Sequence, residues 1–316
     1  MRVTVIGGTG HIGTYLCPAL VRAGHDVISV TRGQRSPYVD DDTWSRIDRL
    51  ILDRPAEEAA GKFGEHIAAL EPEAVVDLTC YTPASAMHLV HALAGKVGHF
   101  LHCGTIWVYG HSTEVPTTED NPRNPFGDYG CLKAEIEVLL LKQFQAANFP
   151  VTILHMGHLV GEGWAPINPA GNFNLEVFRQ LAAGHEISLP NFGMETLHHV
   201  HAADVAQGFV RAIENRSAAI GESFHIVSPK ALTMRGYAEA MAAWFAKEPR
   251  LRFLPWAEWK AEASEQDARM TWDHMAHSPN CSIAKAQRLL GYQPRYSSLA
   301  AVQESVQWLM AHGMLT

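Results

Sequence analysis

A glycine-rich turn at the start of the chain constrains the fold most. Met1-Arg-Val-Thr-Val-Ile6 reads as a strand, and Gly7-Gly-Thr-Gly10-His-Ile-Gly13 follows it at once. A helical pattern begins inside that turn and runs over 11–23. Glycine lets the backbone turn tightly and lets a pyrophosphate approach it closely. The helix N-terminus behind the turn offers free N–H groups and the positive end of a dipole. The spacing is G-x-x-G-x-x-G rather than the more familiar G-x-G-x-x-G. Taken alone it is compatible with a turn that binds nothing. The succession of strand, turn and helix makes it a dinucleotide loop. Gly7, Thr9, Gly10, His11, Ile12 and Gly13 are then the residues that would hold the cofactor.

The rest of the first half suits such a loop. Strand candidates lie at 2–6, 26–30, 47–52, 74–79, 98–103 and 150–155, with helix candidates near 11–23, 55–70, 83–96 and 128–148. Short strands separated by helices argue for βαβ units and a parallel sheet. Several strands are nearly all apolar, as expected when helices cover both faces. The expected class is α/β, a Rossmann-type doubly wound parallel sheet. From about 156 the texture changes, with Gly161, Gly163, Pro166, Pro169 and Gly171 punctuating a loop-rich stretch. A helix is expected at 172–183, a strand at 186–189, a helix at 203–215 and a buried strand at 223–227. The tail reads as helical, anchored by tryptophans. The length of 316 residues suggests two domains at about 150 residues each. Residues 1–155, with 196–228 returning to them, would bind the dinucleotide. Residues 156–195 and 229–316 would form a smaller, interleaved substrate-binding domain.

Composition excludes several classes. A net charge of −8 leaves no broad basic face, so neither nucleic acid nor a membrane surface is an expected partner. No apolar run is long enough for a transmembrane helix, and the N-terminus lacks the pattern of a signal peptide. The five cysteines form no C-x-x-C pair, which reads as reduced thiols in a cytoplasmic protein.

The second strand ends in Thr31-Arg32-Gly-Gln-Arg35. An acidic residue at this tip would accept from a ribose 2′-OH and favour NAD. Arg32 and Arg35 instead suit a 2′-phosphate through charge-assisted hydrogen bonds, although loop arginines are often merely solvated. NADP is therefore favoured, with NAD as the alternative. Asp53-Arg54 follows the third strand and would lie near the adenine, or simply cap the strand end.

Tyr129 and Lys133 stand four residues apart at the start of the helix at 128–148, on one face. An ammonium beside a phenol favours the phenolate and moves a tyrosine of reference pKa ~10 toward neutrality. Such a tyrosine can exchange protons with a substrate hydroxyl or carbonyl.

Four segments together resemble the extended short-chain dehydrogenase/reductases, the NAD-dependent epimerase/dehydratase family. They are Gly7–Gly13, Cys103-Gly-Thr105-Ile-Trp-Val108-Tyr-Gly110, Tyr129-Gly-Cys-Leu-Lys133 and Ser282-Ile-Ala-Lys-Ala-Gln-Arg-Leu-Leu-Gly291-Tyr-Gln-Pro294. The resemblance spans nearly the whole chain. It implies that Thr105 hydrogen-bonds the reacting oxygen and that Tyr129 is the acid/base. It also implies that Lys133 holds the nicotinamide ribose and lowers the tyrosine pKa. It places Leu78, Thr79 and Tyr81 at a strand end bordering the cofactor, and His158 toward the nicotinamide. A homodimer built on the helix at 128–148 is a further implication.

Two departures stand out. His158 occupies the place of an Asn in nucleotide-sugar epimerases. The arginine that grips the diphosphate there usually precedes the segment matched by His199–Ala206, and Met194-Glu-Thr-Leu-His-His199 lacks it. Ile106 and Trp107 follow Thr105 where dehydratases carry acidic residues, which disfavours dehydration. Two segments, Thr31-Arg-Gly and Asp77-Leu-Thr-Cys-Tyr81, resemble a side branch with reductase-like and RNA-associated members.

Eighteen histidines remain to be placed. His198, His199 and His201 invite a metal reading, but no Cys pair or H-E-x-x-H pattern accompanies them. No metal is expected. His158 and His199 are candidate substrate contacts, and Trp107, Trp164 and Tyr81 could stack on a sugar-like ring or simply pack. The expected function is NAD(P)-dependent hydride transfer on a hydroxylated, sugar-like small molecule, by an oxidoreductase or epimerase. The rival is a catalytically silent dinucleotide-sensing or RNA-associated protein of the same fold.

Overall fold

The structure is a computed structural model that describes residues 1–315. Its strands are β1 (Arg2–Ile6), β2 (Asp26–Thr31), β3 (Asp48–Ile51), β4 (Ala74–Asp77), β5 (His99–Thr105), β6 (Val151–Met156) and β7 (His158–Val160). Further on come β8 (Ile187–Pro190), β9 (Thr196–Leu197), β10 (His199–His201), β11 (Ser223–Ile226), β12 (Leu232–Thr233) and β13 (Leu251–Leu254). The first helices are α1 (His11–Arg22), α2 (Arg54–Ala59), α3 (Phe63–Ala68), α4 (Pro83–Leu93), α5 (Gly127–Ala147) and α6 (Glu176–Ala183). They are followed by α7 (Ala202–Glu214), α8 (Arg216–Ala219), α9 (Met234–Trp244), α10 (Trp256–Glu262), α11 (Glu265–His277), α12 (Ala284–Leu290) and α13 (Ser298–Ala311).

Seven strands form one parallel sheet in the order β11-β6-β5-β4-β1-β2-β3. The chain winds outward from β1 through β2 to β3, then restarts at β4 and winds the other way. The reversal lies between β1 and β4, and ligands bind such sheets at the carboxyl ends beside that crevice.

Alternation along the strands divides the core. Val3, Val5, Val76, Leu101 and Leu154 point to one face, where α1, α7 and α12 bring Leu16, Leu20, Phe209 and Leu290. Val75, Phe100 and Ile153 point to the other, where α3, α4 and α5 bring Phe63, Leu89, Leu93, Ile136 and Leu140. The period of two in a strand produces this split, and helices on both faces explain why the strands are almost wholly apolar. A third cluster gathers Phe178, Leu189, Tyr237, Met241, Trp259 and Val302 outside the sheet. It forms a C-terminal subdomain of helices and short strand pairs.

Three readings of the sequence need correction. The helix expected over 55–70 is two helices, because Gly61 adopts φ 72° and ends the first. The helix expected from 172 starts at Glu176. Asn172 and Asn174 turn their side chains onto the backbone N–H groups of Asn174 and Glu176, both at 3.0 Å, and hold the segment as a loop. The tail is not purely helical, since Leu251–Leu254 pairs in parallel with β8.

Candidate active site

The glycine turn is a cradle built against β2 and β4. Gly7 adopts φ 90°, and a Cβ there would come within 2.6 Å of Thr79 Cγ2. A Cβ on Gly13 would lie 2.4 Å from the backbone of Gly8. Helix α1 therefore rests directly on the turn. Gly10 caps it without a side chain, so the first-turn N–H groups face outward as an anion site. This concave, side-chain-free surface fits a dinucleotide pyrophosphate. Leu78 and Thr79 border it, with Leu78 N donating to Ile6 O at 3.1 Å. Thr9 and Thr31 hydroxyls meet at 2.7 Å across it, at the tip of β2. Arg32 and Arg35 lie exposed just beyond that tip, and Asp53 is exposed at the start of α2.

Arg54 is elsewhere. It is buried, and its Nη1 donates to Asp77 Oδ1 at 2.7 Å and to Thr79 Oγ1 at 3.3 Å. Its Nε donates to Glu58 at 2.6 Å. The guanidinium is consumed by the protein and props the end of β4, which displaces the expectation of an adenine contact.

Thr105 ends β5 and caps the short turn Ile106–Tyr109, accepting from Trp107 N at 3.3 Å. Tyr129 projects from the first turn of α5, and Lys133 lies one turn later. Lys133 is buried, and its Nζ donates to the carbonyls of Cys80 and Cys103, both at 2.8 Å. It sits 5.0 Å from the Tyr81 ring centroid and 5.9 Å from that of Tyr129. Burial of its hydroxyl end pushes the Tyr129 phenol above its ordinary range. The nearby Thr105 hydroxyl pulls the other way without prevailing. The Lys133 ammonium is spent on two carbonyls, so the expected depression of the tyrosine is not seen in the cofactor-free protein.

A cleft of about 350 Å³ opens beside this group, lined by Thr105, Trp107, Tyr129 and His158. Trp164 lines it too and stacks on His11 at 4.5 Å, linking the cleft to the cradle. A larger open hollow of about 760 Å³ lies around Glu73 and Gly98, at the amino ends of β4 and β5, away from this chemistry. Trp107 is clamped by a column of rings. It stacks on His277 at 4.1 Å, His277 on Phe126 at 4.0 Å, and Phe126 on His111 at 4.4 Å. Tyr81 is exposed above Lys133 and does not line the cleft.

His199 is not in the cleft. Strand β10 pairs in parallel with β7 so that His199 lies beside His158, with ring centroids 5.9 Å apart. It is fully buried against Tyr237 at 5.3 Å, so it backs His158 rather than meeting a substrate. His198 Nε2 donates to Ser228 O and its Nδ1 accepts from Cys281 N, at 2.8 and 3.1 Å. Among the described residues, no group of three or more His, Cys, Asp or Glu side chains is placed to hold a metal ion. Nor is any helix among them long and apolar enough to cross a membrane.

Sequence reasoning missed the opposite wall, made by Phe173 and by Met270, Asp273 and His274 of α11. Positions 270, 273, 274 and 277 fall on one helix face, which was the available signal. Burial keeps His274 and His277 neutral, pushed down to about 4. It likewise holds His158 well below the ordinary histidine range.

A doubly wound sheet with a glycine cradle and a Thr/Tyr/Lys group at its carboxyl edge defines a nicotinamide-dinucleotide-dependent enzyme. The model of the NAD dependent epimerase/dehydratase family matches residues 3–226, and the chain belongs to that family. A 2′-dehydrokanamycin reductase of Streptomyces kanamyceticus is 26% identical over 99% of this chain and 86% of its own. The chloroplast stem-loop binding protein of 41 kDa b of Arabidopsis thaliana is 24% identical over 96% of this chain and 78% of its own. The fold is shared with UDP-glucuronic acid 4-epimerase of Bacillus cereus, solved with UDP-glucuronic acid and NAD. That likeness has a TM-score of 0.73 and 18% identity, over 99% of this chain and all of the other.

Proposed function

We propose that the chain is an NADP(H)-dependent oxidoreductase or epimerase acting on a hydroxylated, sugar-like small molecule. The convergence of Thr105 and Tyr129 on one cleft, with Lys133 beneath and the glycine cradle alongside, carries this reading. Residues Gly7, Thr9, Gly10, His11, Ile12 and Gly13 would hold the pyrophosphate. Leu78 and Thr79 would flank the dinucleotide, and Arg32 with Arg35 would take a 2′-phosphate. A nicotinamide held there would supply or accept the hydride. Tyr129 gives a proton to the substrate oxygen in reduction and takes it back in oxidation, while the Thr105 hydroxyl orients that oxygen. Lys133 already holds the β4 and β5 ends together through two carbonyls, and its remaining N–H is free to reach a ribose hydroxyl. Trp107 and His158 would contact the substrate.

The names of the reductase relative and of the solved epimerase favour a carbohydrate. We further propose that 1–155 with 196–228 form the dinucleotide unit and 156–195 with 229–316 the substrate unit. A homodimer through α5 accords with Val138, 47% exposed on that helix. The five free cysteines fit a reducing, cytoplasmic setting. The name of the stem-loop binding relative supports RNA binding as a second reading, which the net charge of −8 opposes.

The test is Tyr129→Phe, assayed with a panel of sugars, sugar acids and amino sugars at the nicotinamide absorbance. Turnover should vanish while NADPH binding persists. Undiminished turnover would remove Tyr129 from the chemistry.

A further inference from the structure

The lining of the cleft holds no basic side chain other than histidine. Among its lining residues Asp273 is the one acidic side chain, and no Lys or Arg accompanies it. It projects from α11, half-buried, and among the described residues no hydrogen bond or ion pair engages its carboxylate, although its carbonyl accepts from His277 Nδ1 at 2.7 Å. Arg269, one turn earlier on the same helix, is exposed and outside the lining. Lys133 lies beneath Tyr129 with its ammonium bound to two carbonyls. The imidazoles of His158 and His274 are held neutral by burial and offer hydrogen bonds without charge.

Two observations point to an occupant. His158 Nε2 is buried at the cleft without a partner among the described residues, and buried polar atoms in native proteins are seldom left so. Trp107, Trp164 and Phe173 present aromatic surface to the same space. A diphosphate here would meet a carboxylate and no counter-charge, which is unfavourable in a partly desolvated cleft. An ammonium would meet a free carboxylate and the faces of aromatic rings, both of which attract it.

We propose that the substrate is a phosphate-free polyol ring bearing an ammonium group, and that Asp273 is the residue that selects it. This rests on the reading of the cleft as a hydride-transfer site. The neutral imidazoles pair with ring hydroxyls, the aromatic walls cover the apolar ring face, and Asp273 fixes the amine. The amine thus sets which carbon faces Tyr129.

Titration calorimetry on the NADPH-loaded wild-type protein tests this with three kinds of probe. They are methyl glucoside, its 2-, 3- and 6-amino-deoxy analogues, and UDP-glucose. At least one amino analogue should bind about tenfold tighter than methyl glucoside, equivalent to ~1.4 kcal/mol. In Asp273→Asn that preference should disappear, the amino analogues losing about tenfold more affinity than methyl glucoside does. UDP-glucose should bind no tighter than methyl glucoside. Tightest binding by UDP-glucose, no amino analogue exceeding methyl glucoside, or a preference surviving Asp273→Asn overturns the proposal. Oxidation of UDP-glucose by the NADP+-loaded protein, its carbon giving the hydride and its hydroxyl the proton, would sink it and leave the catalytic reading intact. Amine-selective binding with no reduction of NADP+ by any probe would do the reverse.

Discussion

Replacing Arg54 separates a strut from a cofactor ligand. Its guanidinium reaches Asp77 at 2.7 Å, Glu58 at 2.6 Å and Thr79 at 3.3 Å, and Asp77 is wholly inaccessible to solvent. Arg54→Met leaves the Asp77 carboxylate buried with only Thr79 N, at 3.1 Å, to satisfy it. Removing one partner of such a buried pair costs about 3–5 kcal/mol, because the surviving charge has no route to solvent. With a urea slope of ~3 kcal/mol/M, the unfolding midpoint should fall by about 1–1.7 M. Adding Asp77→Asn removes the stranded charge and keeps an acceptor for Thr79 N. The double variant should recover about 2 kcal/mol or more of the loss. Urea unfolding followed by far-UV circular dichroism gives both numbers, and NADPH titration of the folded variant gives the third. NADPH affinity should fall less than tenfold, since Arg54 touches the cradle only through Thr79. A stability loss under about 1 kcal/mol together with a collapse of NADPH binding would refute the strut and restore Arg54 to the adenine site.

Further outcomes follow from the same geometry. Gly13→Ala should weaken NADPH binding at least tenfold in titration, because its Cβ would lie 2.4 Å from Gly8 backbone atoms and force α1 off the turn; unchanged affinity would mean the turn does not bind the pyrophosphate. Arg32→Ala should weaken NADPH more than NADH, and equal loss would contradict a 2′-phosphate role. Ultraviolet difference titration of the cofactor-free protein against Tyr129→Phe should show no tyrosinate from Tyr129 below pH ~10, because burial raises that phenol; ionisation near pH 8 would mean that Lys133 prevails. Burial pushes His11, His99 and His199 down to about 3 and His198, His274 and His277 to about 4. Folded values below the unfolded value mean that the unfolded chain binds more protons once pH drops under ~6.5, so stability is lost as pH falls, by about 1.4 kcal/mol per unit for each histidine. Cooperative acid unfolding is expected between pH ~6 and ~4.5, and a native near-ultraviolet spectrum at pH 4 would be incompatible with it.

What the sequence revealed and what it hid divide along contact distance. The turn Gly7–Gly13 is legible because its chemistry is local: strand, glycines and helix start lie within a dozen residues. Tyr129 and Lys133 are legible for the same reason, being one helical turn apart. Leu251–Leu254 is a strand only because β8, more than sixty residues earlier, supplies its partner. Four residues carry no periodicity strong enough to announce that. Arg54 is not legible in the sequence, because a position near a strand end suits a ligand contact or a cap alike, whereas its partners in the fold come from α2, β4 and the loop beyond them. The wall formed by Met270, Asp273 and His274 stands more than 140 residues from Tyr129 along the chain, and only the folded C-terminal subdomain brings the two together.

The histidines show why that distinction matters for function. Their number invites a metal reading, which needs several imidazoles converging on one point. Burial instead keeps His158, His274 and His277 uncharged around the cleft. A neutral imidazole offers one donor and one acceptor, so it can match a hydroxyl without repelling an ammonium or rewarding a phosphate. Two such rings, His158 and His274, line the cleft with Tyr129 and leave its sign to the carboxylate of Asp273. The histidine-rich wall and the lone acid therefore act together. If protonation of His274 or His277 were easy at neutral pH, a cation there would cancel Asp273, and the charge preference of the cleft would be lost. Replacing His274 with Lys should accordingly abolish the amine preference as fully as Asp273→Asn does. Retention of that preference in folded, NADPH-binding protein would show that neutrality of this wall is incidental.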